Sequence, residues 1–235
     1  MSQDPAFVRE AFASIASRYQ LANHVLSLGI DFSWRRAVAR LVESLRPKTL
    51  LDVATGTGDL ALAIQQRLPA LEITGTDFCA EMLEIARRAG LKRTVEADAM
   101  QLPFDEGAFD VVTVAYGLRN MKSWKDALVE MRRVLRPGGT LVILDFSLPE
   151  RPPWRSIYGF YLQNVLPRLA GVIAGNRAAY DYLARSIQSF PSGVAMEELL
   201  RESGYDQPRT RRLTGGISSL YQARKPLSFP ARESR

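Results

Sequence analysis

The chain has 235 residues with 46% hydrophobic and 24% charged side chains, a mixture that suits one globular domain of ordinary size. One cysteine and one histidine exclude a disulfide within the chain and a zinc site built from these residues, so the chemistry must come from other side chains or a bound cofactor. The net charge of +6 permits anionic partners. We find neither an apolar run of about 18 residues nor the apolar core of a signal peptide, and therefore expect a cytoplasmic protein without a transmembrane helix.

Residues 4–46 carry apolar side chains at helical spacing, for example Trp34, Val38, Leu41 and Leu45, and are predicted to form helices. The pattern then changes to short apolar runs that alternate with helical segments. Strands are predicted over 49–53, 71–76, 94–97, 109–114 and 140–146, and helices over 60–68, 80–89 and 124–135. This alternation predicts an α/β fold with parallel strands, and the wholly apolar strands indicate a sheet covered on both faces.

Residues 151–190 interrupt the alternation, because they are rich in arginine, aromatic and small residues. We interpret them as inserted helices. A helix over 194–203 and two strands over 210–213 and 218–224 are predicted to follow, and the chain ends in a polar tail. The predicted organisation is a single domain with an N-terminal helical lid (1–46), a core (47–150), a helical insertion (151–192) and a C-terminal part (193–235).

The densest motif follows the first strand, over residues 52–59, and contains Gly56 and Gly58. Glycine lets the backbone turn tightly and approach a ligand closely. Asp77 ends the second strand and Asp98 follows the third, at the sheet edge where an acidic residue about 20 positions after the glycines can bind a ribose diol. NAD sites and simple turns also use paired glycines. The missing third glycine and the position of Asp98, where a carboxylate can meet an adenine amino group, favour a different nucleoside cofactor.

Several segments resemble known methyltransferases. Residues 52–59 resemble the glycine motif of class I methyltransferases, as do 102–104 and 135–139. Residues 116–120, Tyr-Gly-Leu-Arg-Asn, are similar to a signature of the ubiquinone/menaquinone biosynthesis C-methyltransferase family. The resemblance runs from about residue 7 to residue 224. Further segments that carry it are Arg18-Tyr19, Trp34-Arg35-Arg36, Ala179-Tyr180, Phe190-Pro191 and Leu213-Thr214-Gly215-Gly216.

The resemblance implies a Rossmann-like sheet of seven mostly parallel strands that binds S-adenosyl-L-methionine, with no metal. The core would hold this cofactor, the lid would cover it, and the insertion would bind the substrate. Two positions depart from the family, since Gln20 replaces the usual aspartate and Ala115 replaces a frequent serine, whose hydroxyl contact is lost. The implied cofactor contacts are Asp52, Gly56, Thr57, Gly58, Asp77, Phe78, Asp98, Ala99, Ala115 and Tyr19.

The family's activity would be methylation of a ring carbon in a polyprenylated quinol. We favour demethylmenaquinol, and the alternatives are a ubiquinol precursor or both acceptors. The implied catalytic segment is Tyr116, Arg119 and Asn120. Because Arg119 stays protonated, it is predicted to stabilise a developing oxyanion or orient a water, while Asn120 holds the ring oxygen. The structural alternative is that Arg119 forms an ion pair and Asn120 caps a helix. Asp31 and Tyr180 are predicted to line the quinol pocket.

Residues 154–185 combine aromatic and aliphatic side chains with arginines, which suits an apolar tunnel and peripheral docking on the inner face of an anionic membrane. Helix packing or a homodimer interface would explain the same pattern. A methyltransferase for a small soluble metabolite would not need this segment. A nucleic-acid methyltransferase is disfavoured, because the arginines are spread out and no RNA-binding module is visible. A non-enzymatic relative is disfavoured by the intact set of acidic residues.

Overall fold

The computed structural model describes residues 29–150, 152–161, 164 and 185–227. In these parts of the chain a single sheet has the strand order β3-β2-β1-β4-β5-β7-β6. Its strands are β1 (Thr49–Val53), β2 (Glu72–Asp77), β3 (Arg93–Glu96), β4 (Phe109–Ala115), β5 (Leu135–Phe146), β6 (Asp206–Leu213) and β7 (Ser218–Arg224). The helices are α1 (Asp31–Leu45), α2 (Asp59–Arg67), α3 (Ala80–Arg88), α4 (Trp124–Val134), α5 (Trp154–Phe160) and α6 (Val194–Glu202), with short 3-10 turns at Leu118–Asn120 and Thr214–Gly216.

The first five strands are parallel, and β7 runs antiparallel to both β5 and β6. The predicted sheet of seven mostly parallel strands is confirmed. The central strand β1 pairs with β2 on one side and β4 on the other, and Leu50 and Leu51 are both fully buried although they point to opposite faces. Burial on both faces explains why these strands read as continuous apolar runs rather than as alternating ones.

Helices cover the sheet on both sides. One core cluster places Leu128 and Met131 of α4 and Leu200 of α6 against the sheet, and the Tyr205 hydroxyl donates to the Leu128 carbonyl at 2.9 Å. The other cluster is built on α1, α2 and α3, whose apolar residues include Val38 and Ile64. None of the helices in the described residues is both long and apolar enough to span a bilayer.

The boundary between α4 and β5 differs from the prediction. The helix was expected to reach residue 135 and the strand to begin at 140, whereas the strand begins at Leu135. Leu135 pairs with Phe109, and the register then shifts so that Thr140 pairs with Val111. The extra residues form an irregular stretch in which Gly138 has φ +74°. The Pro-Gly-Gly sequence that normally ends strands is here accommodated inside one.

Two further boundaries are corrected. The edge strand β6 begins at Asp206, four residues before the predicted start, and its register shifts between Asp206 and Arg209. Pro208 lies in this irregular stretch, where the missing N–H costs no regular ladder bond. Within the predicted N-terminal helical region, the structure describes α1 alone as a helix. Residues 1–28 and most of 162–184 lie outside the described residues, so the proposed division into a lid and an insertion stays a prediction.

Candidate active site

A cavity of about 200 Å³ opens at the carboxyl ends of the central strands. This edge is where parallel α/β sheets bind their ligands. Three predicted site residues, Gly58, Arg119 and Asp31, do not line this cavity. Two others, Tyr19 and Tyr180, lie outside the described residues. The predicted site residues that do line it are Asp52, Gly56, Thr57, Asp77, Phe78, Asp98, Ala99, Ala115, Tyr116 and Asn120.

The glycine loop after β1 is open to the cavity. Gly56 has φ +56°, and a Cβ built on it would meet no heavy atom within 4 Å. Gly58 has φ +85° and faces α3 instead, where a Cβ would lie 3.2 Å from the Cβ of Ala86. This glycine allows the loop to pack closely against a helix, and the expected ligand contact of Gly58 stays a prediction.

Asp77 ties the second strand to the glycine loop. Its Oδ2 accepts the N–H of Gly56 at 2.9 Å, and its Oδ1 accepts the N–H of Cys79 at 3.0 Å. Burial raises the pKa of Asp77, and these backbone donors oppose the rise. An ionised carboxylate has about four acceptor positions, so the backbone donors leave part of its capacity for the hydroxyls of a ribose.

Asp52 is the most deeply buried acid of the cavity wall, with 1% of its surface exposed. Both of its oxygens accept hydroxyl hydrogen bonds, from Thr55 and from Thr113, each at 2.6 Å. Burial raises the pKa of Asp52 to about 6, although the two hydroxyl donors and nearby Arg35 lower it. A cationic ligand in this cavity would stabilise the ionised form.

Asp98 lies at the exposed side of the cavity and accepts the N–H of Met100 at 2.9 Å. Ala99 lines the cavity beside it. Because β3 and β2 lie on one side of β1 in the sheet, Asp98 and Asp77 together mark one end of the cavity. A ribose and an adenine bound at these two acids would place the rest of a nucleoside cofactor toward β1 and β4.

Tyr116 follows β4 in a strained conformation, with φ +57°. Its N–H donates to the Leu144 carbonyl at 2.8 Å, and its carbonyl accepts Nη1 of Arg119 at 2.7 Å and Nδ2 of Asn120 at 3.3 Å. These bonds hold the turn in place. Burial raises the pKa of the Tyr116 phenol, so it stays protonated near neutral pH and is excluded as a base there.

Arg119 was expected at the mouth of the site, and the structure corrects that placement. Its side chain is 3% exposed and pairs with Asp145 at 2.7 Å. The guanidinium carbon lies 5.3 Å from the ring centroid of Phe146. The structural alternative predicted for Arg119 was an ion pair, and the structure contains this pair. Asn120 lines the cavity, and the residue that caps α4 is Ser123 rather than Asn120. A catalytic role of Arg119 stays a prediction.

Asp31 was expected in the substrate pocket, but it is buried at the start of α1, where it pairs with Arg35 one turn later. Arg35 itself lines the cavity and was missed. The signal was present, because Arg35 adjoins Trp34 on the buried side of a predicted helix and stands in a family-like segment. Nothing in the sequence indicated that Met82, Met100, Met121 and Lys122 also line the cavity.

The strand order, the glycine loop after β1 and the acids after β2 and β3 define a class I methyltransferase. Solved structures agree on the fold. A SAM-dependent methyltransferase from Thermotoga maritima has a TM-score of 0.64 at 17% identity, covering 92% of this chain and 99% of that one. Another from Aquifex aeolicus has a TM-score of 0.56 at 18% identity, covering 79% and 87%.

The model of the ubiE/COQ5 methyltransferase family matches residues 1–225, and the chain belongs to this family. A demethylmenaquinone methyltransferase of Deinococcus radiodurans is 45% identical over 219 residues, covering 91% of this chain and 90% of the relative. One from Thermus thermophilus is 45% identical, covering 92% and 100%. A ubiquinone/menaquinone biosynthesis C-methyltransferase of Geobacter sp. is 40% identical, covering 96% and 99%. The cofactor is S-adenosyl-L-methionine, which suits the open glycine loop and the carboxylate acceptors of the cavity.

Proposed function

We propose that the protein transfers a methyl group from S-adenosyl-L-methionine to a ring carbon of a polyprenylated quinol, with demethylmenaquinol as the acceptor. The observation that carries the proposal is the family match over residues 1–225, with demethylmenaquinone methyltransferases 45% identical over most of the chain. A ubiquinol precursor is the second candidate, because relatives at 39–40% identity are named for both quinones.

The bound cofactor supplies an activated methyl group on a positively charged sulfur. The residues of the cavity hold it. We assign Asp77 to the ribose hydroxyls and Asp98 to the adenine amino group, and both residues line the cavity. The open space beside Gly56 allows a ligand to approach the loop. The carboxylate of Asp52 provides negative charge at the wall near the cationic sulfur. Fixing the donor in this way aligns the reacting atoms and excludes water.

The acceptor must be the reduced quinol. Its hydroxyl groups push electron density into the ring, whereas the oxidised quinone is electrophilic at the same carbon. Asn120 lines the cavity, and we assign it the role of orienting a ring oxygen. The buried Arg119–Asp145 pair holds the turn that carries Asn120, because Arg119 and Asn120 both donate to the Tyr116 carbonyl. Arg119 is therefore proposed to act by positioning this turn.

The direct test is an in vitro assay with radiolabelled S-adenosylmethionine. Chemically reduced short-chain demethylmenaquinol, the same compound in its oxidised form, and a reduced ubiquinol precursor are offered in parallel. Label in demethylmenaquinol and not in the oxidised form is the expected result. Label in the ubiquinol precursor alone would show that this compound, and not demethylmenaquinol, is the acceptor. No label in any of them, from protein that binds the cofactor, would overturn the quinol assignment.

Asn120→Ala tests the role of the cavity amide. Removing one hydrogen-bond donor from an oxyanion typically lowers kcat by roughly 100- to 1000-fold. A loss of at least about 100-fold is expected here, because Asn120 is assigned to the oxygen that becomes anionic when the quinol loses its proton. The affinity for S-adenosylmethionine, measured by calorimetry, should stay within about twofold of the wild type, since Asn120 is assigned to the acceptor. A matching loss of cofactor affinity would contradict this assignment.

We also propose that α5 contacts the membrane that holds the lipid substrate. The helix exposes Trp154, Ile157 and Phe160, which are 65%, 54% and 63% exposed, and carries the cation Arg155 beside them. Aromatic residues next to a cation suit the interface of an anionic lipid surface. Such contact would place the protein on the inner face of the cell membrane, while a homodimer interface is the alternative use of the same face.

Flotation with phosphatidylglycerol and phosphatidylcholine vesicles tests this contact. Binding to the anionic vesicles should be lost in the double variant Trp154→Ser/Phe160→Ser. The matched control is Val194→Ser on α6, which removes an equally exposed apolar side chain elsewhere. No flotation of the wild type would contradict the membrane contact. A wild-type dimer in sedimentation that the double variant abolishes would support the dimer interface instead.

A further inference from the structure

One buried cation faces the end of the cavity opposite the two adenosine-binding acids. Arg35 lines the cavity with 7% of its surface exposed, and its guanidinium carbon lies 5.9 Å from the ring centroid of Tyr116. Tyr116 follows β4, whereas Asp77 ends β2 and Asp98 follows β3, on the other side of β1. A cofactor whose adenosine lies at those acids would extend its other end toward Arg35.

Arg35 is held by two carboxylates. Asp31 pairs with Nη1 from the preceding turn of α1, and Asp59 lies 3.4 Å from Nη2 across the gap to α2. Asp59 also lines the cavity, and its side chain is 22% exposed. The cavity therefore presents a guanidinium and a carboxylate side by side. A guanidinium has five N–H donors in a rigid fork, so these two contacts leave N–H donors that can bind a ligand.

The other end of S-adenosylmethionine is an amino acid, with one α-ammonium and one α-carboxylate. We propose that Arg35 binds the α-carboxylate of the methionyl group and that Asp59 binds its α-ammonium. The assignment matches each ligand charge with an opposite charge in a poorly solvated site, where hydrogen bonds between charged groups are strongest. Asp31 acts as a positioning residue, because it orients Arg35 from the same helix. The proposal rests on S-adenosylmethionine as the cofactor.

This arrangement makes Arg35 a specificity-determining residue. It separates ligands with a complete amino acid from ligands that carry the same adenosine and sulfur but lack the carboxylate. It also links α1 to the cofactor, since Arg35 is the residue through which that helix reaches the cavity wall. A purely structural Arg35 would instead affect every adenosine-containing ligand to the same extent.

Calorimetry with three ligands distinguishes these roles. The ligands are S-adenosylmethionine, decarboxylated S-adenosylmethionine and 5′-methylthioadenosine, and the proteins are the wild type, Arg35→Gln and the control Arg36→Gln on the exposed side of the same helix. Arg35→Gln should weaken S-adenosylmethionine by roughly 10- to 100-fold, the range for a lost hydrogen bond to a charged group. For each of the two ligands without a carboxylate, the affinities of the wild type and of Arg35→Gln should agree within about twofold. Arg36→Gln should bind all three ligands like the wild type.

An equal loss for all three ligands, or no loss for S-adenosylmethionine, overturns the proposal. If Arg35→Gln fails to fold because the buried Asp31 loses this cation, the double variant Asp31→Asn/Arg35→Gln removes the carboxylate charge and decides by the same comparison. A wild type that binds none of the ligands would overturn the cofactor assignment and this proposal with it. Wild-type binding with a uniform loss in the variant overturns the role of Arg35 alone.

Discussion

Asp52→Asn should make the folded protein more stable at neutral pH. It should also remove the contribution of Asp52 to the pH dependence of the free energy of unfolding. Asp52 is buried and accepts one hydroxyl hydrogen bond at each oxygen, from Thr55 and Thr113. Asparagine has the same shape, and its amide can accept from one hydroxyl and donate to the other. The substitution therefore keeps the hydrogen bonds and removes the buried charge.

The magnitude follows from the pKa of Asp52, which burial raises from 3.8 to about 6. At 1.36 kcal/mol for each pKa unit, the folded state disfavours the ionised form by about 3 kcal/mol. Below the unfolded pKa the acid is neutral in both states and costs nothing. As the pH rises toward 6, the unfolded chain ionises first, so the folded state loses stability. Above 6 the cost is complete and constant.

The assay is urea unfolding of the wild type and Asp52→Asn, without cofactor, at several values between pH 4 and 7.5. When the free energy of unfolding of one protein is subtracted from that of the other, the contributions of all other titrating groups cancel. This difference should move in favour of the variant by roughly 2 kcal/mol between pH 4 and 7, because a small part of the cost is already present at pH 4. A difference that does not change with pH, or one that moves toward the wild type, would refute the raised pKa and the reasoning built on it.

Three further predictions concern the cofactor and the turn after β4. Wild-type affinity for S-adenosylmethionine, relative to S-adenosylhomocysteine with its uncharged sulfur, should rise between pH 5 and 7.5 and stay flat in Asp52→Asn, as measured by calorimetry. Gly117→Ala would place a Cβ 2.5 Å from the Cβ of Ala54, so thermal unfolding should show a loss of stability of roughly 1–3 kcal/mol. The control Gly159→Ala has open space around the new Cβ and should leave the stability nearly unchanged. Arg119→Ala leaves Asp145 buried without its cation and should cost about 3–5 kcal/mol in urea unfolding, and a loss under 1 kcal/mol would contradict a buried pair.

Local patterns predicted most of the sheet. The strands β1, β2, β4 and β7 lie within one or two residues of their predicted positions. For β1 and β4 the reason is burial on both faces, which favours a nearly continuous apolar run. The site acids Asp52, Asp77 and Asp98 were also predictable, since parallel strands bring their carboxyl ends to one edge and any polar residue there lies near its counterparts. These predictions need the chain order and the periodicity, but no knowledge of distant contacts.

The boundaries around β5 and β6 were not predictable from local pattern. Pro137, Gly138 and Gly139 indicate a break, yet pairing with β4 and a hydrogen bond from the Gly138 N–H to the Lys225 carbonyl hold them inside a strand. The Nζ of Lys225 also donates to the Leu135 carbonyl at 2.8 Å. A residue 90 positions away thus stabilises the start of the strand. Long-range pairing overrides turn propensity here.

The class of fold, the cofactor loop and the family could be predicted from the residues alone, because each depends on residue types at short, regular spacing. Which charged side chains reach the cavity depends on contacts that form only when the chain folds. Arg119 turned inward to Asp145, 26 positions away, and Arg35 reached the cavity through a contact with Asp59, 24 positions away. A buried charge takes its position from the partner that offsets its desolvation, and that partner is brought near by folding rather than by spacing along the chain.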